Sequence, residues 1–112
     1  MADTARTLMR PVPAVPPETD VATAIRLMRQ LRVRHLPVVE QRQCVGLLGE
    51  TELVGATGPD DLIGLLCRRP APCVSPDADR RRIEELLRSE HTDALGVLDG
   101  VRLLGLLEGD QL

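Results

Sequence analysis

The sequence contains no phenylalanine, tyrosine or tryptophan among its 112 residues. The core must therefore be filled by aliphatic side chains, and no aromatic ring is available to stack on a nucleobase. Lysine is also absent, so all 14 basic residues are arginines. The net charge of −3 gives no overall attraction to nucleic acid or to an anionic membrane. We therefore expect neither of these as a partner.

Long apolar runs are absent as well. No run approaches the roughly 18 residues of a membrane span, and the sequence does not open on a signal peptide. The three cysteines, Cys44, Cys67 and Cys73, form no C-x-x-C motif. Such thiols are typical of buried, reduced cysteines in a cytosolic protein, and a metal or redox site is the less favoured alternative. We expect a soluble cytoplasmic protein without a metal site.

The chain repeats itself. Residues 33–53 superpose on residues 92–112 at an offset of 59 without a gap, so that Leu36 falls on Leu95 and Val38 on Val97. Each copy contains two short apolar runs separated by polar turn residues, and this pattern predicts two neighbouring strands followed by the start of a helix. A repeat of this kind indicates that the two copies build the functional unit together.

A helix is predicted before the strands of each copy. Asp20 is a suitable N-cap, and the apolar residues behind it recur at helical spacing for about 12 residues. We expect this stripe to be mainly core, although part of it, with Leu53 and Val54, could line a dimer interface. Asp79 caps the equivalent helix over residues 80–90. Proline-rich extended segments precede both caps, with a strand around Ala14 and Val15, and residues 1–6 are predicted to be loose.

These elements predict an α/β (α+β) fold made of two β-α-β-β-α repeats. The boundaries are residues 7–54 for the first repeat, 55–61 for a linker and 62–112 for the second repeat. One unit of about 50 residues would bury little apolar surface and would be marginal alone. We therefore expect the two sheets to pack against each other with pseudo-two-fold symmetry.

The ordered set of features resembles a known family. Two capped helices, then Arg-His-Leu-Pro-Val-Val and Val-Gly-Leu-Leu leading into a short helix, are similar to a tandem pair of cystathionine-β-synthase (CBS) domains, a Bateman module. This resemblance implies a regulatory or sensing module, not an enzyme. It also implies clefts for adenosyl ligands such as AMP, ADP, ATP or S-adenosylmethionine, pairing into a homodimer through helices, and a regulated partner protein.

The resemblance places one wall of each cleft at the start of the repeat's last helix. Family members use Ser/Thr-x-x-Asp there, because a hydroxyl bonds phosphate and a carboxylate accepts both ribose hydroxyls. The first repeat has Gly49 where the hydroxyl is expected, but Glu52 keeps a carboxylate, with Thr51 beside it. The second repeat has Glu108 at the hydroxyl position, and Asp110 is its nearest replacement for the ribose acid.

The other wall is the loop before the second strand of each repeat. The first repeat offers Arg34, His35 and Leu36 there, and the second offers Asp93. The resemblance therefore implies these ligand-binding candidates: Arg34, His35, Leu36, Thr51, Glu52, Asp93 and Asp110. If a cleft mixes the two repeats, Asp93 and Glu108 would disfavour a polyphosphate and favour a neutral adenosyl group.

Two functional hypotheses stay open at this point. The first is a non-catalytic regulatory module that binds an adenosyl ligand or signals by contact with a partner. The alternative is a structural module that acts through dimerisation alone, its ligand clefts having degenerated. A small enzyme is a third and less favoured hypothesis, since the sequence shows no arrangement of acid, histidine and nucleophile.

Overall fold

The computed structural model describes residues 2–112 and shows an α+β fold with two small sheets. Strands β1 and β2 form one antiparallel pair, whereas β3 runs parallel to β4, which is antiparallel to β5. The elements in chain order are α1 (Ala5–Leu8), α2 (Val21–Leu31), β1 (His35–Glu40), β2 (Gln43–Gly49), α3 (Glu50–Leu53), β3 (Cys73–Val74), α4 (Arg80–Ser89), β4 (Ala94–Asp99) and β5 (Arg102–Glu108). Two 3-10 turns complete the chain, Ile63–Leu65 and Gly109–Gln111.

Both long helices begin at the predicted caps. The side chain of Asp20 accepts a hydrogen bond from the backbone N–H of Thr23 at 2.8 Å, and Asp79 caps α4 in the same way. Hydrogen bonds from Thr23 also lower the pKa of the Asp20 carboxyl, which keeps the cap ionised. Val21 and Met28 are buried in the core of the first repeat, so the prediction that this stripe is core is confirmed for them.

The two hairpins share one register. Strand pairing places His35 opposite Gly49 in the first repeat and Ala94 opposite Glu108 in the second, at the same place in the two copies. Each hairpin is interrupted by a bulge at the equivalent position, between Val38 and Val39 in the first and between Val97 and Leu98 in the second. The predicted strand pairs are therefore confirmed.

The strand predicted around Ala14 and Val15 is reduced to a single bridge between Val15 and Val38. In the second repeat the equivalent strand β3 is anchored by a bond from the Gly96 N–H to Pro72 at 2.9 Å. Pro37 occupies the position equivalent to Gly96 and has no N–H to donate. The loss of this one donor explains why the first repeat has no regular first strand.

The N-terminal segment packs on the second repeat. The backbone N–H of Ala5 donates to Ala78 at 2.8 Å and that of Arg6 to Pro76 at 3.0 Å. Ala5 is fully buried in the core of the second repeat. The expectation that residues 1–6 are loose is therefore wrong for this segment, because it supplies the second repeat with backbone partners; Met1 lies outside the described residues.

The segment that follows α3, residues 54–66, makes the equivalent contacts with the first repeat, and we call it the connector. Ile63 donates its N–H to Thr19 at 2.8 Å and Gly64 donates to Pro17 at 2.9 Å, and Ile63 is fully buried in the first core. Each repeat is thus completed by a segment that precedes the other repeat in sequence. The boundaries 7–54, 55–61 and 62–112 stay a prediction, since these contacts cross them.

A third apolar cluster joins the two repeats. Leu47 and Leu106 from equivalent strands pack with Ala71 and Ala94, and all four are buried. This contact covers sheet surface that either repeat alone would leave in water. No helix among residues 2–112 is long and apolar enough to cross a membrane.

The close packing of the connector yields a test. A Cβ atom at Gly64 would lie 2.5 Å from the Cβ of Pro17 and 2.9 Å from its carbonyl oxygen. We expect Gly64→Ala to lower the free energy of unfolding by about 1–3 kcal/mol through overpacking. Gly58→Ala is the matched control in the same connector, because nothing lies within 4 Å of its Cβ position. Urea denaturation measures both, and equal stability of the two variants would contradict the connector packing.

Candidate inter-repeat site

Two equivalent cross-strand pairs form the site. The large residue lies on the first strand of the hairpin in one repeat and on the second strand in the other. In the first repeat the large His35 lies opposite Gly49, and a Cβ at Gly49 would come within 2.6 Å of the His35 ring. In the second repeat the small Ala94 lies opposite the large Glu108. The pseudo-two-fold arrangement brings these ends together, so His35 of one repeat meets Glu108 of the other.

His35 lies between two carboxylates of the second repeat. Its Nδ1 is 2.8 Å from Glu108 Oε2, and its Nε2 is 2.8 Å from Asp93 Oδ1. His35 is only 7 % exposed and Glu108 only 4 % exposed, so their contact is shielded from water. Each ring nitrogen of His35 therefore has a carboxylate oxygen within hydrogen-bond distance, and these contacts tie the loop before β4 and the end of β5 to the first repeat.

The backbone of Arg34 strengthens the same contact. Its N–H donates to Glu108 Oε2 at 2.7 Å, so a single carboxylate oxygen receives bonds from two neighbouring residues of the first repeat. The Arg34 guanidinium is half-exposed and lies 3.8 Å from Glu50 and 3.9 Å from Asp110. These two longer ion pairs are solvated and contribute little to stability by themselves.

The start of the last helix is closed in the same manner in both repeats. Glu52 Oε1 accepts from the backbone N–H of Gly49 at 2.8 Å, and Gln111 Oε1 accepts from that of Glu108 at 3.0 Å. In each repeat, the backbone N–H of the residue that precedes the turn is therefore already bonded to a side chain of the protein.

The structure gathers most of the predicted site residues. Arg34, His35, Asp93 and Asp110 meet across the two repeats, and Glu52 lies beside them at the start of α3. Thr51 is exposed on α3, whereas the side chain of Leu36 is fully buried in the core of the first repeat. That these residues bind a ligand stays a prediction.

The sequence reading missed the roles of Glu50 and Glu108. It treated Glu108 as a replaced hydroxyl that would repel phosphate, whereas this carboxylate is the buried partner of His35. The sequence contains a sign of this contact. At the offset of 59 residues, the pair of His35 and Gly49 corresponds to the pair of Ala94 and Glu108. A large residue and a small residue that change places between two repeats indicate side chains that meet at the axis.

The thiols form no comparable centre. Within residues 2–112, no group of three or more His, Cys, Asp or Glu side chains is placed to hold a metal ion. Cys44 and Cys67 are half-buried, whereas Cys73 is exposed, so the expectation of a buried thiol is wrong for Cys73, which lies on the solvent side of β3 while Val74 is buried. Burial raises the pKa of Cys44, and partial desolvation followed by the charge of nearby Glu90 raises the pKa of Cys73. A raised pKa lowers the thiolate fraction and hence the reactivity.

Comparison with known proteins agrees with this architecture. Residues 5–58 match the family model of the CBS domain. Residues 5–58, which contain the first repeat, therefore form a CBS domain. The whole chain has the fold of a CBS-domain pair, since solved CBS-domain structures superpose on all or nearly all of it. No curated protein matches the sequence.

Three solved structures illustrate the similarity. The CBS-domain protein TA0289 of Thermoplasma acidophilum is 25 % identical with a TM-score of 0.90, over 100 % of this chain and 68 % of its own. CBSX2, solved in complex with AMP, is 23 % identical with a TM-score of 0.81, over 96 % and 91 %. The CBS-domain pair of MJ0100, solved with 5′-methylthioadenosine and S-adenosyl-L-methionine, is 14 % identical with a TM-score of 0.87, over 99 % and 93 %.

The buried contact between the repeats generates a stability prediction. We expect Glu108→Ala to lower the free energy of unfolding by about 3–5 kcal/mol, because it leaves His35 and the Arg34 N–H without their buried partner. Asp110→Ala is the control, and we expect it to cost less than about 1 kcal/mol since its pair with Arg34 is solvated. Urea denaturation measures both, and similar losses would show that the His35 contact is not the main polar link.

Proposed function

We propose that this protein is a non-catalytic regulatory module that binds an adenosyl ligand at the inter-repeat site and signals to a partner protein. The observation that carries the proposal is the contact of His35 with Glu108 and Asp93, which joins the two repeats through residues predicted to line the cleft. A ligand that bonds to any of these groups changes how firmly the repeats are joined. Binding is thereby coupled to the arrangement of the repeats.

The charges around the site restrict the ligand. Arg34 and His35 are its only basic groups among the residues described above, and both already face carboxylates. The acidic side chains gathered there are Glu50, Glu52, Asp93, Glu108 and Asp110. A phosphate would meet this negative charge, and the backbone N–H groups of Gly49 and Glu108 are already bonded to side chains. We therefore propose a neutral or cationic adenosyl ligand, of the S-adenosylmethionine or 5′-methylthioadenosine type, in preference to AMP, ADP or ATP.

Individual roles follow from the positions of the side chains. Glu52 uses Oε1 to cap Gly49, which leaves Oε2 to accept a ribose hydroxyl. Asp110 is the equivalent acceptor in the second repeat, and Asp93 faces a cationic group of the ligand. Thr51 contributes from the exposed side of α3, and Leu36 contributes through its backbone. Structures with AMP and with S-adenosyl-L-methionine support an adenosyl ligand in this fold.

Ligand binding is tested by thermal and calorimetric titration. We expect S-adenosylmethionine to stabilise the protein by roughly 2.7 kcal/mol at a hundredfold excess over its dissociation constant. AMP and ATP should stabilise it less. The stabilisation by 5′-methylthioadenosine should lie between that by S-adenosylmethionine and that by the two nucleotides. Glu52→Gln should weaken binding, because the amide oxygen keeps the cap on Gly49 while the amide NH2, which cannot accept a hydrogen bond, replaces the second carboxylate oxygen. Glu84→Gln, on the exposed face of α4, is the matched control.

Two outcomes contradict the proposal at different levels. If none of the four compounds stabilises the protein, ligand binding at the inter-repeat site is wrong. If AMP or ATP binds more tightly than S-adenosylmethionine, the site is correct but the argument from its negative charge fails.

We further propose that the module works as a homodimer in the cytoplasm. A groove of about 240 Å³ lies between α2 and α3, with Ile25, Met28 and Leu53 among its apolar residues. Arg29 and Glu50 line the same groove, and a two-fold axis would set each of them against the opposite charge of a second copy. The cytoplasmic location is supported by the three cysteines, none of which forms a disulfide.

Reversing one charge of the groove tests the homodimer. We expect Arg29→Glu to raise the dimer dissociation constant at least about tenfold, since it places two acids against each other. Arg26→Glu is the control, because Arg26 is exposed on the same helix but does not line the groove. Sedimentation equilibrium measures both dissociation constants, and equal effects of the two variants would argue against pairing through this groove.

A further inference from the structure

The connector exposes an unusual share of the apolar surface. Four large hydrophobic residues among residues 2–112 are exposed, and three of them lie between positions 54 and 65. Val54 and Leu65 are each 85 % exposed, and Leu62 is 43 % exposed. A single exposed leucine is ordinary, whereas a cluster within one short segment is typical of a surface that another molecule covers.

Leu62 and Leu65 form a ridge between two grooves, which we name the connector ridge. The larger groove, of about 430 Å³, is also lined by Asp60, Asp61 and Leu66. The smaller groove, of about 220 Å³, lies on the other side of the same two leucines and is also lined by Pro17, Glu18, Gly64 and Arg69. The ridge therefore presents a raised apolar edge with a hollow on each side.

The connector ridge is held in place before anything binds. Ile63, between the two leucines, is fully buried, and its N–H bonds to Thr19 at 2.8 Å. The neighbouring Gly64 bonds to Pro17 at 2.9 Å. Since the backbone is already fixed to the first repeat, little conformational entropy would be lost when a partner covers the ridge.

The fold does not require leucine at these positions. The N-terminal segment makes the equivalent contacts with the second repeat, and there Ala5 takes the place of Ile63. Counted from this match, Thr4 and Thr7 are the equivalents of Leu62 and Leu65. Two polar residues thus meet the structural demand on one side of the pseudo-two-fold axis. The packing of the fold therefore does not explain the two leucines on the other side.

The charges beside the connector ridge fit a second copy of the chain. Asp60 and Asp61 line one groove, and Arg69 lines the other together with Glu18, so the first groove is acidic and the second contains the one cation among the residues that line the two grooves. Hydrogen bonds from the Thr57 backbone and hydroxyl lower the pKa of Asp61, so this carboxylate is ionised at neutral pH. A two-fold axis through the ridge would place the acidic groove of each copy against Arg69 of the other, which is the self-complementarity that a symmetric contact requires.

We propose that the connector ridge is a self-association surface, on which the ridge of a second copy docks with Leu65 of each copy in a groove of the other. This contact is separate from the groove between α2 and α3, and it does not depend on ligand binding. Where both contacts form, two dimers join into a larger assembly.

Sedimentation velocity over a range of concentrations tests the ridge. We expect Leu65→Ser to halve the mass of the largest species, whereas Val101→Ser should leave it unchanged. Val101 is the matched control because it is the exposed valine of a hairpin turn, 54 % exposed and remote in sequence from the connector. Circular dichroism should show both variants folded, since neither side chain is buried.

Exchanging the charges of the two grooves tests the same contact without changing Leu65. Asp60→Arg and Arg69→Asp should each reduce the association, and the two together should restore it. A fall from tetramer to dimer for Leu65→Ser supports both contacts, and a fall from dimer to monomer supports the ridge but not the α2–α3 groove. An unchanged mass for Leu65→Ser, or a charge exchange without restoration, would overturn the proposal.

Discussion

The contact of His35 with Glu108 and Asp93 is the polar link on which the arrangement of the two repeats depends. Among residues 2–112, the apolar cluster that joins the repeats has four buried members, Leu47, Ala71, Ala94 and Leu106. Such packing is not directional, whereas a buried imidazole with a carboxylate at each ring nitrogen fixes orientation and distance. The cost of burying Glu108 is offset only while its donors stay in place, so the repeats must keep one relative position.

This constraint connects stability with the proposed function. The groups that join the repeats are also the groups predicted to line the ligand cleft, so a ligand cannot reach them without affecting the joint. The site carries more carboxylates than cations, and the backbone N–H groups of Gly49 and Glu108 are bonded to side chains. In the proposed function, this excess of negative charge disfavours a phosphate. A module of this design would report a ligand by a change in its own geometry.

The exchange of segments adds a second link between the halves. Residues before each repeat complete the core of the other, through backbone bonds at equivalent positions. One consequence is that neither predicted repeat contains all of its own core. Another is that the two exchanged segments face solvent differently, with threonines on one and leucines on the other, although their backbones do the same work. The difference lies outside the requirements of folding, which is why it points to association.

The sequence by itself determined the local elements and the existence of two copies. Capping by Asp20 and Asp79, the alternation of apolar runs and the fixed offset depend on neighbours in the chain, so they can be read without coordinates. The resemblance to CBS domains also predicted Arg34, His35 and Asp93 as cleft residues, and the structure brings these three together where the repeats join. Only the tertiary structure decided that Glu108 is buried against His35, that Pro37 removes a strand bond, and that the segments before the repeats are exchanged. Each of these depends on residues far apart in sequence that meet across the pseudo-two-fold axis, and no local pattern specifies which distant partner a side chain will find.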